Sequence, residues 1–218
     1  AGMFLALYLA RAKTNPIVIE RGKSVEERDK DILNFKTKGE FLCESNTCFG
    51  EGGAGTYSDG KLTTGIKDPR IRFCLNEFIK HGAPKNIYYE AHPHIGSDYL
   101  KSVVKNIRQE IISLGGEVLF EHKLVDLNIK NNKISSVSIE HDNKKIEIET
   151  DDCILAIGHS ARDTFKMLFE RNIFMQPKPF SMGVRIEHLQ SEVNKSQYGK
   201  EYKNKKLPVA DYKLAVHL

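Results

Sequence analysis

The chain has 218 residues, 40% of them hydrophobic and 28% charged, with a formal net charge of +4. That is the make-up of an ordinary globular protein with room for one large or two small domains. The positive charge is too diffuse for a nucleic-acid footprint, and no apolar run reaches the ~18 residues of a membrane span. Four cysteines without a repeating spacing argue against a disulfide framework and for a reducing, cytoplasmic setting. Residues 3–10 imitate the core of a signal peptide but lack its basic leader and cleavage context.

Residues 2–12 read as a helix that is apolar on nearly every side, which predicts burial. Asn15-Pro16 breaks the chain, and Ile17-Val18-Ile19 is a short apolar run of the kind found in parallel strands. Glu20 sits at the end of that run, followed by Arg21-Gly22. Helix, turn, strand and terminal acid match the second half of a dinucleotide-binding βαβ unit, where such an acid holds ribose hydroxyls. Gly2 would then be the last glycine of G-x-G-x-x-G. The beginning at Ala1-Gly2-Met3 and the end at Val216-His217-Leu218 lead us to expect a fragment lacking a first strand and a final portion.

Residues 24–38 form the next predicted helix, with a capping box from Ser24 and Glu27 and an apolar stripe of Val25, Ile32, Leu33 and Phe35. Residues 49–62 follow, with Gly50, Gly52, Gly53, Gly55 and Gly60 separated by small or polar residues. Such a segment adds little to a core; it lets backbone N–H groups come close to a ligand and favours an anion such as phosphate. Helices are expected over 69–81 and, most clearly, over 97–114, where Leu100, Val103, Val104, Ile107, Ile111 and Leu114 share a face. From 117 to 149 the period becomes two and predicts an antiparallel meander, with Asn131-Asn132 and Asp142-Asn143 as turns. Cys153-Ile154-Leu155-Ala156-Ile157-Gly158 reads as a buried parallel strand, 161–171 as a helix and 180–187 as a strand.

In that order the pieces resemble flavoproteins of the glutathione-reductase-like, two-dinucleotide-binding-domain group. They resemble more closely the uncharacterised bacterial FAD-dependent dehydrogenases. The matching words are residues 17–22 (IVIERG), 44–62 (ESNTCFGEGGAGTYSDGKL), 93–100 (PHIGSDYL), 155–165 (LAIGHSARDTF), 178–188 (KPFSMGVRIEH) and 207–214 (LPVADYKL). The resemblance implies an α/β fold: an FAD/NAD(P)-binding Rossmann-like domain over 1–175, with a helical insertion at about 66–95 and the meander at 117–149. A second, substrate or cap subdomain would begin at 176–218. It further implies that Gly2 presents the first helix to the pyrophosphate and that Glu20, with Arg21 beside it, binds at the ribose. Gly50, Gly52, Gly53, Ala54, Gly55 and Thr56 would lie along the cofactor, Leu124 and Val125 near adenine, and Gly158 and His159 at the closing turn. The implied cofactor is FAD, with NAD(P)H as an electron donor.

Flavin carries the redox chemistry, so no side chain is required as acid or base. His159 could stabilise flavin charge or move a proton; alternatively Ser160 caps the next helix and His159 bonds locally. Asp59 and Lys61 could face the flavin or be solvated loop charges. Cys43 and Cys48 have the C-x4-C spacing of disulfide reductases, but the surrounding glycines differ, and we read the pair as coincidental. His92-x-His94 is too sparse for a metal site, and Cys74 and Cys153 read as small buried hydrophobes. The expected function is an FAD-dependent oxidoreductase acting on a small organic substrate. The alternatives are a nicotinamide-dependent dehydrogenase without flavin and a non-catalytic nucleotide binder.

Overall fold

The computed structural model describes all residues except 181, 185, 213 and 215–218, and the chain forms two compact units, 1–174 and 175–218. In the first unit, helix α1 (Gly2–Arg11) buries Ala6, Leu7 and Ala10. It is not enclosed on every side, since Tyr8 is 64% exposed. Strand β1 (Ile17–Ile19) follows, and after it α2 (Val25–Lys38), α3 (Arg70–Lys80) and α4 (Ser97–Ser113). Leu7, Ile87, Val103, Ile107 and Ile111 are the fully buried centre of the first core, between α1, α3 and α4. Each buried side chain of that size contributes roughly 1.5–3 kcal/mol.

Strand β2 (Glu117–Leu119) runs parallel to β1, with Val18 opposite Val118. The sequence placed this segment in the meander, because a period of two reveals a strand but not its partner. The crossover that a parallel pair requires runs through α2, α3 and finally α4, and Gly115-Gly116 turns the chain back tightly enough for Glu117 N–H to reach Pro16 O at 2.9 Å. A Cβ on Gly116 would stand 2.7 Å from Ile111 Cγ2.

The meander itself is β3 (Lys123–Lys130), β4 (Lys133–His141) and β5 (Lys144–Glu149), antiparallel throughout. Its two turns place Asn131, Asn132, Asp142 and Asn143 at φ between 51° and 60°, as the tight hairpins predicted from those residues demand. Leu127, Val137 and Ile139 form a second core with Leu168 of α5 (Arg162–Glu170).

Two further expectations about these elements fail. The run 153–158 is not a strand: no described strand pairs with it, and Ile154 is 60% exposed. Apolar content makes a segment suitable for a sheet, but only a partner edge completes the ladder. Helix α2 also turns a different face inward. Leu33 and Phe35 are 59% and 49% exposed, whereas Arg28 and Asp31 are buried beside Val25 and Ile32.

The second unit contains α6 (Gln190–Tyr198) and a short 3-10 turn (Gly199–Glu201). Asn194 Oδ1 accepts from Ala210 N–H at 2.8 Å and Gln190 Nε2 donates to Ala210 O at 2.7 Å, which ties the helix to the segment after it. No described residue of 180–187 lies in a strand; Ser181 and Arg185 of that expectation fall outside the described residues.

Candidate functional site

The C-terminal ends of the parallel strands are where α/β sheets present ligands, and here β1 extends by one bond, from Glu20 N–H to Leu119 O at 2.9 Å. The Glu20 carboxylate then turns back on the chain. Its Oε1 accepts from Gly22 N–H at 2.8 Å and from Gly50 N–H at 3.1 Å, pinning the glycine-rich loop to the strand end. Gly22 permits this contact, since a Cβ there would lie 2.5 Å from Glu44 O and 2.6 Å from Gly50 N.

Arg28 organises the loop from below. The residue is fully buried; its Nε donates to Asn46 O at 2.7 Å and its Nη1 to Glu51 O at 2.7 Å and Gly53 O at 2.9 Å. Its guanidinium also lies 4.6 Å from the centre of the Tyr57 ring. In a trans peptide the N–H points opposite to the C=O. The Gly52 and Ala54 N–H groups, which follow two of these carbonyls, are therefore directed away from Arg28. Loss of hydration is the main influence on this guanidinium and lowers its pKa, against the field of Tyr57 and nearby acids.

The glycines of the loop differ in what they serve. A Cβ on Gly50 would strike Arg28 Cδ at 2.5 Å, and one on Gly52 would collide with Thr56 Oγ1. Gly53 and Gly55 meet nothing within 4 Å. Gly53 needs its positive φ of 66°. For Gly55 neither crowding nor backbone strain requires glycine, and its open face suits the approach of a bound group.

Glu51 caps α2. The capping box is absent: Ser24 makes no side-chain cap bond, and Val25 N–H donates instead to Glu51 Oε2 at 2.8 Å. Arg108 joins that oxygen at 3.1 Å and Glu26 Oε1 at 2.8 Å. Burial pushes the Glu51 carboxyl up, although the Val25 N–H and Arg108 oppose it. Burial works the same way on Glu26, but the bonds from Arg108 and Lys105 prevail and bring it down to about 2. Glu20, Glu51, Gly52, Arg108, Met3 and Phe120 border a cleft of about 30 Å³ between apolar walls from β1, β2 and α4.

A four-charge cluster closes the side of this site. Arg21 donates to Glu44 at 2.5 Å and, through both Nη atoms, to Asp163 at 2.9 and 2.8 Å. Lys123 bridges the same two acids at 3.0 and 2.8 Å, and Arg21 also covers the Phe49 ring at 4.4 Å. Arg21, helped by Lys123 and opposed by burial, holds Asp163 far below the usual carboxylate range. The cluster joins the end of β1, the loop, the start of β3 and the start of α5.

The remaining expected positions fall as follows. Gly2 begins α1, where a Cβ would lie 3.2 Å from Ala156 Cβ. Thr56 is buried and donates to Glu51 O at 3.1 Å. Leu124 pairs with Ile139, and Val125 occupies a break in the β3–β4 register, which frees backbone groups from the ladder. Gly158 has φ 71° and open space around it, and His159 is exposed. Ser160 does not cap α5; that position belongs to Ala161. Asp59 and Lys61 pair with each other at 3.2 Å, both largely solvated, so the contact adds little. Cys43 and Cys48 are free and exposed, flanking a turn wound around Asn46, which donates to Cys43 O at 3.0 Å and accepts from Cys48 N–H at 2.8 Å. Cys74 and Cys153 are only half-buried.

Arg28, Glu51 and Arg108 were not singled out from the sequence. Glu51 alone carried a signal, as the one acid within Gly50-Glu51-Gly52-Gly53.

Residues 179–218, within the second unit, match the model of a family described as FAD-dependent protein, C-terminal domain-like. Over 214 residues, or 98% of its length, the chain is 50% identical to an uncharacterised protein of Clostridium beijerinckii. The chain spans 39% of that relative's length. The structure is a mixed α/β protein with a small parallel and an antiparallel sheet, and among the described residues no helix is long and apolar enough to cross a membrane.

Proposed function

We propose that the chain is part of an FAD-dependent oxidoreductase whose first unit is a Rossmann-like cofactor domain. The observation that carries this reading is the loop at the ends of β1 and β2: Gly53 and Gly55 face open space while Arg28 holds its carbonyls inward. The match of residues 179–218 to a family of FAD-dependent proteins supports flavin over a bare nicotinamide site.

The residues present fit such a group. Glu20, at the strand end, would accept from ribose hydroxyls through Oε2, since its loop bonds use Oε1. The Gly52 and Ala54 N–H groups and the open backbone at Gly55 would line the cofactor. Val125 would offer backbone groups to adenine, and Gly158, with open space around it, would leave room for the cofactor. Arg21 and Lys123, already paired, would set the loop's position and not touch the ligand. Bound FAD would supply hydride and electron transfer between an organic substrate or NAD(P)H and its ring system.

The test is a visible absorption spectrum of the purified protein after gel filtration with added FAD, followed by anaerobic NADH or NADPH. Flavin bands that co-elute and then bleach support the oxidoreductase. A protein that leaves added FAD unbound overturns the proposal, and flavin that neither nicotinamide nor any candidate substrate reduces overturns its catalytic part.

A further inference from the structure

Glu51 divides its carboxylate between two tasks. Oε2 is satisfied by Val25 N–H and Arg108. Oε1 has no hydrogen-bond partner, although the residue is only 4% exposed. A buried carboxylate oxygen in that condition is destabilising unless something donates to it. The same side chain borders the cleft shared with Glu20 and Gly52, whose volume of about 30 Å³ suits one or two groups the size of a hydroxyl.

Charge decides which group that is. Two carboxylates face the cleft against one guanidinium, and Arg108 is already bonded to Glu51 and Glu26. A phosphate brought to this point would be repelled, whereas a hydroxyl would donate its proton into the bond and bring no charge. We propose that Glu51 Oε1 accepts a hydrogen bond from a sugar hydroxyl of the bound cofactor, so that the cleft before Gly52 is a hydroxyl subsite and not a phosphate cradle. The proposal rests on the flavin reading above. The hydroxyl belongs either to the adenosine ribose or to the ribityl chain, and the two sources can be told apart.

The experiment measures affinity for FAD and for two ligand pairs, ADP against 2′,3′-dideoxy-ADP and riboflavin against lumiflavin, in wild type and in Glu51→Gln. The amide retains an acceptor for Val25 N–H but loses the charge, so FAD binding should weaken about tenfold, the loss of one charge-assisted hydrogen bond. A matching loss for ADP but not its dideoxy form assigns the ribose; a loss for riboflavin but not lumiflavin assigns the ribityl chain. Unchanged affinities, or equal losses for both members of each pair, overturn the proposal and leave Glu51 as the cap of α2 with a water on Oε1. Wild-type protein that binds none of these ligands overturns the flavin reading and the subsite with it. Should the Gln variant fail to fold, Glu51→Asp, which withdraws the carboxylate by one methylene, gives the same comparison.

Discussion

Gly22 and Gly50 pack backbone against backbone: a Cβ on Gly22 would stand 2.6 Å from both the N and Cα atoms of Gly50. Twenty-eight positions apart, the two residues leave no space into which either chain segment can withdraw, because Gly50 is backed by Arg28. Gly22→Ala should therefore destabilise the protein by about 1–3 kcal/mol, as overpacking does elsewhere. Urea unfolding measures this directly, and a stability equal to wild type would show that the loop can shift away.

Arg28→Lys retains the charge and loses the fork. A single ammonium cannot reach carbonyls at Asn46, Glu51 and Gly53 together, and each buried acceptor left unpaired costs about 1–3 kcal/mol. Because Glu51 O keeps its bond from Thr56, we expect a loss of about 1–3 kcal/mol, together with new protease cleavage near residues 46–53. Wild-type stability in this variant would mean that the loop holds its shape without the guanidinium.

Gly55→Val separates folding from binding. The position is open and its backbone unstrained, so the melting temperature should stay within a degree or two of wild type, as surface substitutions usually do. Flavin retention should fall sharply, since the added isopropyl group occupies the open face. Normal flavin content would remove this loop from the cofactor site.

The acid limb of stability has a definite sign. Asp163 and Glu44 are held down by Arg21 and Lys123, working against burial that is the larger influence at Glu44. Such groups bind protons more weakly in the folded chain, so their contribution is complete above an unfolded value near ~4 and drains as pH falls towards 2. Glu51 works in the opposite direction: burial raises it, so its contribution fades as pH rises through its folded pKa. The unfolding free energy should thus decline below about pH 4.5, and Asp163→Asn should shorten that decline. The Asp163 carboxylate of the Arg21–Asp163 pair is 45% exposed, so the effect should be modest and weaken with salt. An acid limb identical in wild type and Asp163→Asn would dismiss the cluster as a source of stability.

Local pattern made some of this molecule legible. The α4 stripe of Leu100, Val103, Val104, Ile107 and Ile111 is buried as its spacing demands, whereas Leu114, the sixth residue expected on that face, lies just past the helix and is exposed; the Asn-Asn and Asp-Asn turns adopt the left-handed backbone their residues favour. Glu20 could be read as a strand-end acid because strand and acid are adjacent in sequence. What stayed hidden depends on distant partners. No local rule puts Arg28 inward while Leu33 and Phe35 stay out, since its ligands are carbonyls 18 to 25 residues away. Likewise an apolar run such as 153–158 cannot reveal whether a neighbouring strand edge exists.

The bond from Val25 N–H to Glu51 has a consequence for the order in which the chain acquires structure. An α-helix of 14 residues is marginal in isolation, and α2 exposes much of its apolar face while burying an arginine whose acceptors lie in a later segment. During synthesis this helix therefore has neither its N-terminal acceptor nor its arginine's ligands until residue 53 has left the ribosome. Its formation is then a joint event with the glycine loop, and what looks like a peripheral helix matures only when that loop does.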